Sequence, residues 1–288
     1  MYKSVKYLLP AEDINMGGII VKQALPTQKV DQLDPFLLLH HGTFSTTEDA
    51  PARQQGIGPH PHRGFSPVTF VIRGEVHHRD SRGNNQIAKE GEVQWMFAGA
   101  GIVHSERPSE DLASISGTQE IVQLWINAPA ASKMKQPKYQ YKSKSDIPTF
   151  TSEDGQFINK LVAGNYGDLR SNMQTESELL IIWSQSKSAG SQSYTIPSGF
   201  NTMIYVIKGN LHIKGYGKVA PENLVIFEAQ DGDIEIRAEE KIEFLILCGK
   251  PIDEVVVKQG PFVMNTTTEI MVAMRDYQMG KMGILIEE

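Results

Sequence analysis

Two stretches of this chain read alike at a fixed separation. Gly64-Phe65 and then Phe70-Val71-Ile72-Arg73-Gly74-Glu75-Val76-His77 align without gaps on Gly199-Phe200 and Tyr205-Val206-Ile207-Lys208-Gly209-Asn210-Leu211-His212, always 135 residues on. A repeat of almost half of 288 residues is too long for a solenoid unit and implies two copies of one domain. Each copy reads strand, basic residue, Gly, strand, as in a hairpin whose Gly adopts positive φ. Short β-branched or aromatic runs at 68–72, 204–207, 234–236 and 244–247, separated by Gly, Asn and Pro, predict an all-β barrel or sandwich rather than an α/β fold. A helix is expected only near the end, where Thr266 and Glu269 have capping-box spacing ahead of Ile270, Met271, Ala273, Met274 and Tyr277, with Gly280 as its stop.

Between Ala130 and Pro148 the chain turns polar and lysine-rich, with Lys133, Lys135, Lys138, Lys142 and Lys144. This stretch reads as a solvated connector. The expected division is therefore residues 1–132, a linker over 133–148, and 149–288. The charge balance, 28 Lys+Arg against 34 Asp+Glu for a net −6, argues against direct nucleic-acid binding. A single cysteine, Cys248, rules out an intramolecular disulfide framework, and no His or Lys cluster beside it activates the thiol. No apolar run approaches a membrane span, and Tyr7-Leu8-Leu9 before Pro10 is too short for a secretory signal. A cytoplasmic protein is expected.

The chemistry concentrates in Gly58-Pro59-His60-Pro61-His62-Arg63-Gly64-Phe65 and, about 40 residues later, His104-Ser105-Glu106. In a strand, residues i and i+2 point to one face, so His60 projects with His62 and His104 with Glu106. Facing one barrel interior, three imidazoles and a carboxylate would suit a divalent first-row metal: Fe, Ni, Cu or Zn by the imidazoles, with Mn admitted by the carboxylate. Of His40-His41 and His77-His78, only one of each pair can face inward. If no bulge follows His62, Ser66, Val68, Phe70 and Ile72 share its parity, and Val68 and Phe70 with Ile102 would line an apolar substrate pocket. No phosphate-binding Gly loop or Ser-His-Asp set appears, so no organic cofactor is expected.

These motifs, with Gly91-Glu92-Val93-Gln94-Trp95-Met96, Ala98-Gly99-Ala100-Gly101-Ile102, Gln123-Leu124-Trp125-Ile126-Asn127 and Gly260-Pro261-Phe262-Val263-Met264-Asn265-Thr266, resemble the pirin family of the cupin superfamily over nearly the whole chain. The resemblance implies a bicupin, two cupin-type β-barrels of the double-stranded β-helix (jelly-roll) kind with a few short helices. It also implies one metal per chain in the N-terminal barrel, iron first with Mn, Ni, Cu, Zn or Co compatible, held by His60, His62, His104 and Glu106. At the 135-residue offset, Thr195 and Pro197 replace His60 and His62, and no His-x-Glu follows Gly209, so the second barrel should hold no metal. His212, opposite His77 in the repeat, is read as structural.

Family members with assigned activity are flavonol (quercetin) 2,3-dioxygenases, and the resemblance makes Glu106 the candidate base for a flavonol hydroxyl. The partners would then be a small aromatic substrate and dioxygen. The alternative implied by the family is a non-catalytic regulator that binds a protein partner, either a transcription regulator or a metabolic enzyme. Both readings use the same four residues.

Overall fold

The computed structural model describes residues 1–287. They form two compact units, each a β-barrel built of facing antiparallel sheets. The first unit takes residues 36–144 and 253 onward. Its smaller sheet runs in the order Ile57–His62, Ile102–Arg107, Glu75–Asp80, Asn85–Lys89. Across from it, Lys138–Lys142, Val93–Phe97, Phe65–Arg73, Thr118–Asn127 and Phe36–Ser45 lie side by side. The second unit, residues 1–35 and 145–252, repeats that order. Gly190–Tyr194, Ile234–Ala238, Leu211–Ile213 and Gly217–Val219 form its smaller sheet. Val5–Pro10, Asn223–Phe227, Asn201–Lys208, Glu243–Gly249 and Leu179–Ser186 lead its larger one.

The division differs from the expected 1–132 and 149–288 because edge strands and tails cross over. The larger sheet of the second unit is completed by Val5–Pro10, which pairs with Asn223–Phe227. In the first unit the same place is filled by Lys138–Lys142, paired with Val93–Phe97. The stretch read as a connector therefore contains a strand. Its alternation, Lys138-Tyr139-Gln140-Tyr141-Lys142, turns both tyrosines inward, where Tyr139 packs on Met96, Ala98 and Ile102 and Tyr141 on Val71 and Val76. Nor is Lys133 solvated. It is buried and its Nζ donates to Asn127 Oδ1 (2.7 Å) and Val263 O (3.1 Å); burial lowers its pKa to about 8.

Gly74 and Gly209 occupy equivalent hairpin turns, with φ of +76° and +72°. A Cβ at either would come within 2.3 Å of a carbonyl oxygen, Thr118 O or Lys241 O, so the turn admits only glycine on two counts. The C-terminal helix Thr267–Gln278 begins with the expected capping box: the Thr266 hydroxyl accepts from Glu269 N (3.2 Å), and Glu269 Oε2 accepts from Thr266 N (2.8 Å). Among the described residues, no helix is long and apolar enough to cross a membrane.

The interiors of the two barrels have diverged. In the second, Tyr194, Ile196, Ile204, Val206, Leu211, Ile213, Ile234, Ile236, Phe244 and Ile246 form one buried cluster, together with Cys248, whose thiol burial pushes up to about 12. A buried side chain such as Ile236 contributes roughly 1.5–3 kcal/mol through apolar burial. Strand register shows which residues stand where the metal ligands were expected. Tyr194 faces Ile234 as His60 faces His104, and Ile213 faces Ile236 as His78 faces Glu106. The counterparts of His60 and His62 are thus Tyr194 and Ile196, not Thr195 and Pro197. One additional residue precedes Gly199 and shifts the alignment. His212 alternates out of the core between Leu211 and Ile213.

Candidate metal centre

Ile57–His62 and Ile102–Arg107 pair so that Ile102 faces His62 and His104 faces His60. Directly opposed residues share a face, so one inner surface carries His60, His62, Ile102 and His104. Ligand nitrogens of the three histidines lie within 4.8 Å of one another, and the ring centroids of His60 and His104 are 4.3 Å apart. His60 Nδ1 donates to Gly58 O (2.8 Å) and His62 Nδ1 to Pro261 O (3.4 Å). A carbonyl only accepts, so both rings carry a proton on Nδ1, which leaves Nε2 as the ligand atom. His104 Nε2 is buried with no hydrogen-bond partner. Burial, followed by the neighbouring imidazoles, holds His62 and His104 well below the ordinary histidine pKa. Three converging imidazoles, two of them held neutral by burial and one with a ring nitrogen otherwise unsatisfied, fit a divalent transition metal.

Glu106 lies on the same inner face but outside this cluster of nitrogens. Thr69 Oγ1 donates to its Oε1 (2.8 Å) and Gln123 Nε2 to its Oε2 (2.6 Å). Trp125 Nε1 donates to Gln123 Oε1 (3.1 Å), and this fixes the amide with its NH₂ toward the carboxylate. The structure thus brings three of the four expected ligands together and holds the fourth beside them.

Two of the expected pocket residues point elsewhere. Thr69 faces the site, so its neighbours Val68 and Phe70 on Phe65–Arg73 face the opposite side. The cause is Gly64, whose φ of +88° interrupts the alternation between His62 and Phe65. A Cβ there would stand 1.9 Å from Val263 O. Only Ile102 of the three shares the inner face. The aromatic wall is instead Phe65 and Trp125, with ring centroids 4.4 Å apart and 5.1 and 5.3 Å from His62. His60, Gln123 and Trp125 are half-buried, which opens the site to solvent on their side.

Residues not assigned to the site from sequence complete the surroundings. On Glu75–Asp80, His78 and Asp80 face Glu106 and His104. Asp80 Oδ2 accepts from His78 Nε2 (3.0 Å), and the rings of His78 and Tyr139 stack at 4.2 Å. Burial raises the Asp80 pKa, but donations from His78, Asn84 and the Arg82 amide outweigh it and leave the group below its ordinary value. The signal was available in His78-x-Asp80, which has the same two-residue spacing as His60-x-His62. Of His40-His41, His40 faces inward opposite Gln123, while His41 meets Glu120 at 3.2 Å.

Two jelly-roll barrels in one chain, one lined by a three-histidine cluster and the other filled with apolar side chains, define a bicupin with a single candidate metal centre among the described residues. Family profiles described as Pirin and Pirin C-terminal cupin domain match residues 18–126 and 184–283. A pirin-like protein of Solanum lycopersicum is 34% identical over 282 residues, 97% of this chain and 92% of its own length. A crystal structure of quercetin 2,3-dioxygenase from Acinetobacter baumannii matches with a TM-score of 0.91 and 33% identity, covering 99% of this chain and 100% of that one. The bacterial pirin YhhW from Escherichia coli, in complex with nickel(II), shares the fold at a TM-score of 0.66 and 22% identity, over 85% of this chain and 99% of its own. The chain belongs to the pirin family.

Proposed function

We propose that this protein is a mononuclear-metal oxidoreductase of the quercetin 2,3-dioxygenase kind, acting on a small aromatic substrate with dioxygen. One observation carries the reading: three imidazoles converge, with His104 Nε2 buried and unpartnered, on the face that also holds the Glu106 carboxylate. The similarity to the Acinetobacter baumannii quercetin 2,3-dioxygenase supports the substrate class. One divalent ion, iron first, would be held by His60, His62 and His104, with Glu106 as the anionic fourth ligand. Such an ion would supply Lewis acidity to adjacent hydroxyl and carbonyl oxygens and one-electron chemistry with dioxygen.

The chain's own residues do the rest. Glu106 accepts the proton of the substrate hydroxyl, since Asp80, the other carboxylate on this face, already accepts from four donors. Thr69 and Gln123 hold its two oxygens, and Trp125 holds Gln123, so the acceptor is positioned before substrate arrives. Phe65 and Trp125 offer the flat apolar surface an aromatic ring packs against.

The test is anaerobic addition of quercetin to metal-loaded protein, followed by oxygen. Metal-dependent loss of the flavonol absorbance with release of carbon monoxide is expected. Failure to turn over any flavonol with Fe, Mn, Ni, Co, Cu or Zn would transfer the assignment to a regulatory metal protein that works by binding a protein partner.

A further inference from the structure

We infer that Asp80 and His78 form a relay that sets which nitrogen of His104 is available to the metal, and that they act as positioning residues for the centre. The inference rests on the metal reading above for its consequence, but its geometry stands apart from it. The relay starts in the turn after Glu75–Asp80. There Asp80 Oδ1 accepts from Arg82 N (2.8 Å) and Asn84 N (3.1 Å), and Oδ2 accepts from Asn84 Nδ2 (2.8 Å) and His78 Nε2 (3.0 Å). With four donors on two oxygens, the carboxylate is fixed in place and in role.

A carboxylate accepts and cannot donate, so His78 carries its proton on Nε2 and presents a lone pair at Nδ1. That lone pair stands 3.4 Å from His104 Nδ1. Two lone pairs would repel at this distance, so His104 donates from Nδ1. Its own lone pair is then on Nε2, the buried atom without a protein partner. Stacking on Tyr139, with ring planes 17° apart, keeps the His78 ring from turning out of line. His60 and His62 reach the same tautomer through backbone carbonyls. Only His104 depends on side chains for its tautomer, because its Nδ1 meets the imidazole of His78, which can point its proton either way. In the second barrel the position of His78 is taken by Ile213, and no relay remains.

The experiment uses full-length, histidine-labelled, metal-free protein and reads ¹⁵N NMR shifts of the His104 ring. In the wild type, Nδ1 is expected to be pyrrole-like and Nε2 pyridine-like. Asp80→Asn can turn its NH₂ toward His78, reversing the relay and moving the proton of His104 to Nε2. Nickel(II) affinity is measured on the same proteins and on two variants that leave the Asp80 turn intact. His78→Phe keeps a ring against Tyr139 but removes the acceptor, and should weaken binding roughly 10–100-fold, the usual cost of losing such an outer partner. His78→Gln can still accept from His104 Nδ1 and should recover most of that loss. An unchanged His104 tautomer in Asp80→Asn, or His78→Phe binding as tightly as wild type with an unchanged Tm, would overturn the relay. Wild-type protein that shows the expected tautomers yet binds no metal would instead defeat the metal reading and leave the relay standing.

Discussion

His60 and Tyr194 hold the same position in the two barrels, one facing His104 across its strand pair and the other facing Ile234. The Tyr194 hydroxyl is already committed: it donates to Asn159 Oδ1 (2.7 Å) and lies 2.9 Å from Ser184 Oγ. With Ile196, Ile234 and Ile236 at the other three places, these four positions offer no imidazole or carboxylate. Elemental analysis of the purified, reconstituted protein should therefore give about one equivalent of metal per chain. The combined His60→Ala and His62→Ala variant should fall close to zero. Two equivalents, or metal retained by the double variant, would contradict the assignment.

Glu106→Gln separates binding from chemistry. The amide can accept from Gln123 and donate to the Thr69 hydroxyl, so the variant should fold with little loss. Three histidines remain to hold metal at saturating concentration. Proton acceptance is removed, and flavonol turnover should drop about 10²–10⁴-fold. Rates and metal content are to be measured on one preparation. Near-normal turnover per bound metal would make the carboxylate a purely structural group.

The twin hairpins predict matched stability losses. Gly74→Ala and Gly209→Ala each place a Cβ against a carbonyl oxygen at positive φ, and each should lower stability by about 1–3 kcal/mol. Thermal unfolding of the single variants provides the measurement. An unaltered Tm in either would show that its turn relaxes away from the glycine geometry.

Acid should weaken the fold through His40. Burial lowers its pKa to about 4 from the ordinary 6.5, so the folded state refuses a proton that the unfolded chain accepts. Its contribution, at most about 3 kcal/mol, is intact above pH 6.5 and is lost as the pH falls toward 4. Urea unfolding across that range should show a flatter stability curve for His40→Gln than for wild type. Identical slopes would mean that His40 does not carry the effect.

The histidine cluster was legible because strand geometry has a period of two, and His60-x-His62 and His104-x-Glu106 spell it directly. The same rule applied to Val68 and Phe70 failed at one residue, Gly64, whose positive φ reverses which side chains face inward. Tyr139 was hidden by composition: the lysines at either end of Lys138–Lys142 concealed an ordinary alternating strand. His78 and Asp80 were passed over because they lie beyond a turn, although the register with Ile102–Arg107 returns them to the site. Thr69 and Gln123 carry no sequence signal of their own. They matter only because antiparallel pairing sets them opposite each other, below Glu106.

The crossover of edge strands also bears on how the chain is made. Val5–Pro10 is synthesised more than 200 residues before its partner Asn223–Phe227, so a nascent chain carries this strand unpaired until that partner has been made. Closing so long a loop costs little more than closing a short one, but such distant pairing is slow to form. An idle strand is an invitation to aggregate. Lys3 and Lys6 place charge just ahead of it and within it, and Pro10 ends it without a backbone donor, the gatekeepers expected of a segment that must wait on the ribosome.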